Sequence, residues 1–449
     1  MKKITCIVLC LVMVFALFAC NGANTTNTSS PPPSDNKPAE STPPASTSPA
    51  PSGSGSSEST PPVETPKEVK YSQGASATEI RVGNSAATSG GFAVVGVPLN
   101  AGIEAYFRMV NETGGIDGRQ ITFWHTDDEF DPAKGKAALE EMVEDEKLFA
   151  IVGAMGTPVI AAILDDMKDY GIPCVYFATG IPQLLSTGAK TNADGYNIFP
   201  VQPLYETEGR IHAAYAASKF QAKKIGVIYT NDDAGITLHK GISLQVGELP
   251  GVELIAEQVA AGTPDASAAV TSMKNAGVDA VIVSSIQATC PTIIKELAAQ
   301  GMSVPVITSY INAGIDTSTS VIEAITGRFD VYATAWVDAT KLELYGGYLE
   351  WVPADYLANA YAMAGWIAGA TFVEGLRRIE GQDITWENYM KALESAPIVL
   401  PFGAAVDYAN GNRWGTQAMS LQKVVPISDT WTQGWELVEP VTNIRDLLK

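Results

Sequence analysis

The sequence predicts an α/β protein divided into two lobes of mainly parallel sheet, and three observations predict it. From Ala77 to Ala333 short apolar runs alternate with stretches of helical spacing. Long βαβα runs need parallel strands with helices on both faces. The units outnumber what one open sheet holds comfortably, so the core divides in two. At 449 residues with 46% hydrophobic, the chain has material for two to three domains with sizeable cores.

The elements follow in order. Glu79 to Gly83 reads as a strand, and Leu99, Ile103, Phe107 and Val110 then recur at helical spacing. Gly114-Gly115 ends that helix and Asp117-Gly118 makes a turn. Gln120 to Trp124 is the next strand. Asp131 caps a helix with Pro132 in its first position, running to about Glu144. Phe149 to Val152 is a strand, Pro158 to about Tyr170 a helix, and Pro173 to Phe177 a strand. The pattern resumes with a strand at Lys224–Tyr229, a helix after Ala234 and a strand at Glu253–Glu257. A helix over Asp265–Asn275 turns Val270 and Met273 inward. Further strands are expected at Ala280–Ser284, Val304–Thr308 and Val331–Ala333, with a helix starting near Pro291.

Ahead of these elements the chain has a different character. Lys2 and Lys3 precede an apolar run, Ile4 to Phe18, and then Ala19-Cys20. Basic start, apolar middle and small residue before a cut make residues 1–20 a secretory signal. Leu17-Phe18-Ala19-Cys20 resembles a bacterial lipobox, whose cysteine is acylated. That makes Cys20 a lipid anchor holding the protein on the outer membrane leaflet; the alternative is an ordinary signal with an incidental cysteine. Residues 21–77 are rich in Pro, Ser and Thr and cannot bury enough surface to offset chain entropy, so they are expected to form a disordered tether.

Charge and composition exclude several functions. The net charge of −20 lacks the clustered Lys and Arg that nucleic acid requires. Three histidines, His125, His212 and His239, disfavour histidine catalysis and zinc sites, so no metal or cofactor is expected. Cys174 and Cys290 imply buried thiols rather than a disulfide framework. The folded part shows no Gly-x-Ser-x-Gly elbow, no His-Glu-x-x-His and no phosphate loop; Gly135-Lys136 is followed by Ala137. Catalysis is therefore not expected.

One family is similar. Asn111 through Arg119, Asp127-Asp128 with Asp131-Pro132, Gly153-Ala154-Met155-Gly156-Thr157-Pro158 and Phe177-Ala178-Thr179-Gly180 resemble the first lobe of type I periplasmic binding proteins. Gln202-Pro203-Leu204-Tyr205, Glu208-Gly209-Arg210, Asn231-Asp232-Asp233 and the phrase Asp265–Asp279 extend the likeness, which covers about Thr78 to Leu437. Within that family the pattern is similar to the Leu/Ile/Val-binding group of ABC transporter receptors. The resemblance implies two Rossmann-like lobes joined by a three-segment hinge, near Gln202, Ala333 and Met419. Lobe 1 would be 78–203 plus 334–418 and lobe 2 would be 204–333 plus 419–449. It implies a ligand held in the cleft by closure and handed to an importer permease. A partner-coupled sensor is the alternative role, because one fold serves several uses.

Ligands in open α/β sheets gather at the carboxyl ends of the strands. There Gly156 permits close approach to backbone N–H groups, and Thr157 either caps the following helix or meets a ligand oxygen. Ala178, Thr179 and Gly180 offer a second turn beside it; Thr179 either binds ligand or bonds its own turn. The opposite lip is assigned to Tyr205, Asp232, Gln287, Ser309 and Tyr310, with Asp232 and Asp233 equally suited to capping the next helix. Phe92 and Val95 give the first lobe an apolar entrance. The family's acidic partner for a ligand ammonium is replaced by Tyr310, so an apolar or aromatic carboxylate or an amide fits as well as an α-amino acid.

Overall fold

The computed structural model describes residues 69–286, 289–338, 347–427 and 434–448. The expected signal stretch, Cys20, most of the expected tether and Gln287 lie outside the described residues. Residues 69–77, read from sequence as the end of the tether, instead pack on the first lobe. Tyr71 bridges to Ile384 and accepts a hydrogen bond from Arg119 at 3.1 Å. Gln73 donates to the carbonyls of Val143 and Leu148. An aromatic ring and a side-chain amide with fixed partners offset the ordering entropy that Pro, Ser and Thr alone cannot.

The first sheet holds β1 (Glu79–Ala86), β2 (Gln120–Asp127), β3 (Ala150–Met155), β4 (Cys174–Ala178) and β5 (Ile198–Phe199), ordered β2-β1-β3-β4-β5 and parallel throughout. Between these strands run α1 (Ala93–Glu112), α2 (Pro132–Glu140) and α3 (Thr157–Tyr170). Asp131 caps α2 through the N–H groups of Ala133 and Lys134, as its position before Pro132 predicts. The helix does not run unbroken to Glu144: one π turn occupies Glu141–Asp145.

The chain then crosses to a second sheet. It contributes α4 (Tyr205–Ser218), β6 (Lys224–Thr230), α5 (Asp233–Glu248), β7 (Glu253–Val259), α6 (Ser267–Ala276), β8 (Ala280–Ser284), α7 (Thr289–Ala299), β9 (Val306–Thr308), α8 (Ile315–Ile325) and β10 (Val331–Ala335). It returns to the first lobe for α9 (Tyr348–Trp351), α10 (Ala360–Arg377), α11 (Trp386–Glu394) and a hairpin of β11 (Ile398–Val399) and β12 (Ala405–Val406). A last crossing brings β13 (Ala418–Val424), β14 (Trp435–Asn443) and α12 (Ile444–Leu447). The second sheet is ordered β14-β13-β10-β9-β8-β6-β7, with β13 antiparallel to both β10 and β14 and the other pairs parallel.

Helix α10 completes the first lobe by lying against α1. The approach is close enough to require glycine: a Cβ on Gly102 would stand 2.1 Å from the Ala362 carbonyl oxygen, and one on Gly365 would stand 2.0 Å from that of Leu99. The same lobe buries Arg413. Its guanidinium donates to the carbonyls of Tyr196 (2.6 Å) and Asn412 (2.8 Å), pairs with Glu394 at 2.9 Å and lies over the Phe199 ring. The bonds to its two terminal nitrogens offset much of the cost of burying the charge, while its Nε has no partner among the described residues.

Candidate ligand site

The carboxyl ends of β3 and β4 face the start of α4 and the turn after β9, and a cavity of about 90 Å³ lies between them. Met155, Gly156 and Thr157 come from the first lobe, Tyr205, Tyr310 and Ile311 from the second, and Trp336 and Val337 from the crossing between them. Phe92 stands at the cavity as expected, with its ring stacked on Phe130 at 3.6 Å between centroids.

Gly156, with φ of +104°, is the residue that caps α3, and Thr157 is the first helical residue. The Thr157 hydroxyl therefore does not cap. It meets the Thr179 hydroxyl at 2.9 Å in the buried interior. The Tyr205 hydroxyl lies close to both threonine hydroxyls and to the Gly180 backbone, which favour its ionised form. Burial outweighs these contacts and pushes the Tyr205 phenol up to about 12, so it is neutral at physiological pH. Its backbone N–H donates to the Gly180 carbonyl at 2.8 Å. Ala178 lines the cavity, whereas Thr179 is covered and Gly180 lies under the Tyr205 ring.

A second polar relay runs behind the wall. Tyr176 donates to Gln202 Oε1 at 3.1 Å, Gln202 Nε2 donates to the Tyr310 hydroxyl at 3.0 Å, and that hydroxyl donates to the Pro203 carbonyl at 3.0 Å. Burial raises the pKa of both phenols. Tyr176 sits at φ +64° and Gly153 on the neighbouring strand at φ +81°, so β3 and β4 both kink just before the cavity. A non-glycine residue held there costs about 1–3 kcal/mol, a strain found where a side chain must be aimed.

Two assignments to the opposite lip are corrected. Asp232 accepts from Gly235 N–H at 2.8 Å and from the Thr230 hydroxyl at 3.0 Å, so it caps α5 and does not line the cavity. Ser309 points away from the cavity and donates to Glu208 Oε2 at 2.8 Å. Glu208 is fully buried. Its other oxygen accepts from the Tyr310 N–H at 2.7 Å and from the Thr334 hydroxyl, and His212 Nε2 stands 3.5 Å away. Glu208 thus ties α4 to the Tyr310 turn and to β10 next to the second crossing.

Sequence reasoning missed Phe130, Tyr176, Trp336, Tyr361 and Gln422, all of which line the cavity. Ala335-Trp336-Val337 stands at the carboxyl end of β10, so the strand-end rule already applied to β3 and β4 was a signal for it. Tyr361 lies on α10 and donates to the Ile311 carbonyl at 2.7 Å, across the two lobes.

None of the described lining residues is Asp, Glu, Lys, Arg or His. The wall offers aromatic and aliphatic surface, neutral phenols and the Gln202 and Gln422 amides. It can desolvate an apolar body and exchange neutral hydrogen bonds, and it presents no counter-ion to a buried charge.

A cavity closed between two α/β lobes at the ends of their parallel strands is the architecture of a type I bilobed binding fold. The chain belongs to the periplasmic binding protein family, whose model matches residues 79–430. Among relatives, a Leu/Ile/Val-binding protein homolog 2 of Brucella abortus is 27% identical over 229 residues, which is 51% of this chain and 60% of that protein. The chain thus spans less than two thirds of that relative's length. The fold is shared with a fatty acid ABC transporter substrate-binding protein from Thermomonospora curvata (TM-score 0.68, 20% identity, covering 85% of this chain and 96% of that one). It is also shared with a branched chain amino acid ABC transporter protein from Thermus thermophilus with bound valine (TM-score 0.70, 18% identity, covering 82% and 98%).

Proposed function

We propose that this protein is the extracytoplasmic substrate-binding component of an ABC importer. It captures a small apolar ligand carrying one polar head, a carboxylate or an amide, and passes it to a permease. In this reading residues 1–20 are a lipoprotein signal cut ahead of Cys20, Cys20 carries lipid, and the lobes 78–203 plus 334–418 and 204–333 plus 419–449 close about hinges near Gln202, Ala333 and Met419. The names of the relatives support the transport role. The observation that carries the ligand class is that no charged side chain stands among the described lining residues: against that wall a zwitterionic α-amino acid would leave its ammonium without a counter-ion, at a cost of several kcal/mol.

A cavity of about 90 Å³ is smaller than the ~150 Å³ that holds benzene in an engineered core, so an aromatic ligand enters by parting the lobes. Ligand contacting both lobes then shifts the population toward the closed form, because only differential affinity does so. Thermal-shift and calorimetric titration with phenylalanine, 3-phenylpropanoate, leucine and 4-methylpentanoate tests the reading. Each compound lacking the ammonium should bind at least tenfold tighter than its amino acid. Tighter binding of leucine or phenylalanine would reject the assignment.

A further inference from the structure

The place where a ligand's negative oxygen would most readily sit is already filled by the protein. At the end of β3 and β4 two threonine hydroxyls converge at 2.9 Å, beside the backbone turn at Gly180 and the first turn of α3. The Tyr205 hydroxyl is set among them. Its seat is built into both lobes. The Tyr205 N–H is bonded to the Gly180 carbonyl at 2.8 Å, and the ring lies so close that a Cβ on Gly180 would stand 2.7 Å from its Cδ1. The ring is 2% exposed and packs 6.1 Å from that of Tyr310, which the Gln202 relay and the Pro203 carbonyl hold in turn. A glycine under the ring, a backbone hydrogen bond at its base and nearly complete burial mark a residue fixed in place.

We propose that Tyr205 is a specificity-determining residue: by sealing the Thr157–Thr179 cradle it makes the site prefer ligands whose polar head is neutral, such as an amide or a hydroxyl, over carboxylates. This rests on the transport reading above and narrows it. With the cradle closed, the described wall offers a carboxylate no cationic side chain, and a buried carboxylate without one is disfavoured. A neutral head loses far less on desolvation and finds an amide partner in Gln422, whose Nε2 also reaches the Val337 carbonyl at 3.4 Å.

The test uses the matched pair 3-phenylpropanamide and 3-phenylpropanoate, titrated calorimetrically into the wild-type protein and the Tyr205→Ala and Tyr205→Phe variants. Wild type should prefer the amide at least tenfold. Tyr205→Ala empties the cradle and should bring the acid to equal or tighter affinity, and adding Thr157→Val should remove that gain. Tyr205→Phe keeps the ring and should leave the preference for the amide as in wild type. Equal affinity of wild type for both probes, or an unchanged ratio in Tyr205→Ala, overturns the inference alone. If Tyr205→Ala does not fold, the wild-type ratio decides. Wild type binding leucine but neither probe overturns the transport reading's ligand class, and this inference with it.

Discussion

Replacing Glu208 by Gln should destabilise the second lobe by about 3 kcal/mol. The buried carboxylate accepts from the Ser309 hydroxyl, the Tyr310 N–H and the Thr334 hydroxyl. A hydrogen bond to a charged group contributes about 1.5–3 kcal/mol and a neutral one about 0.5–1.5, so the neutral amide forfeits about 1 kcal/mol at each of three bonds. The amide retains one oxygen, which can still serve the Tyr310 N–H, and turns its NH2 toward Ser309. That hydroxyl already accepts from the Ile311 N–H at 3.3 Å. Leucine at 208 would instead leave all three donors without a partner and should cost about twice as much. At about 1.3 °C per kcal/mol for a folded part of roughly 380 residues, Glu208→Gln should lower Tm by about 4 °C in scanning calorimetry. Tyr310 lines the cavity, so ligand affinity should fall as well. A Tm within 1 °C of wild type would refute the argument that the three donors depend on a charged acceptor.

Gly156→Ala places a Cβ 3.1 Å from two ring carbons of Phe130 at a φ of +104°. It should cost about 1–3 kcal/mol and weaken ligand binding by displacing the Phe92–Phe130 stack; wild-type affinity in titration would show that the stack does not shape the cavity. His125 titrates above its ordinary value because it hydrogen-bonds Glu104, 3.4 Å away. A raised histidine stabilises fully below the unfolded value near 6.5 and loses that contribution as pH rises through the folded value. Tm followed against pH should therefore show a small decline as pH rises past about 6.5 that His125→Gln flattens. Both side chains are more than a third exposed, so added salt should suppress the decline.

The parallel strands were legible because they are buried on both faces and read as apolar runs; β3 and β8 are covered along their whole length. The Asp131-Pro132 cap and the Gly114-Gly115 stop were legible for local reasons, since the atoms that decide them lie within one turn. Helix α10 left no amphipathic stripe to find: from Ala362 to Val373 every residue is buried, so period 3.6 disappears into uniform apolarity. The π turn at Glu141–Asp145 and the left-handed Tyr176 are settled by packing rather than by propensity. The site divided in the same way. Gly156, Thr157 and Phe92 follow from strand ends and helix starts. The seat of Tyr205 follows from a meeting of Gly180 and α4 that no local pattern encodes, and Asp232 was equally well explained as a cap.

The glycine contact between α1 and α10 also says how the molecule must be assembled. The sheet beginning at Glu79 is roofed by a helix that begins at Ala360, and the other sheet gains its outermost strand only at Trp435. Neither half is a cassette. A fragment stopping before α10 would expose the flank of α1 around Leu99 and Ile103, both wholly buried in the intact chain. A chimaera that exchanges one lobe for a relative's needs a junction at each of the three crossings, and the joined whole, rather than either piece, is the unit that folds.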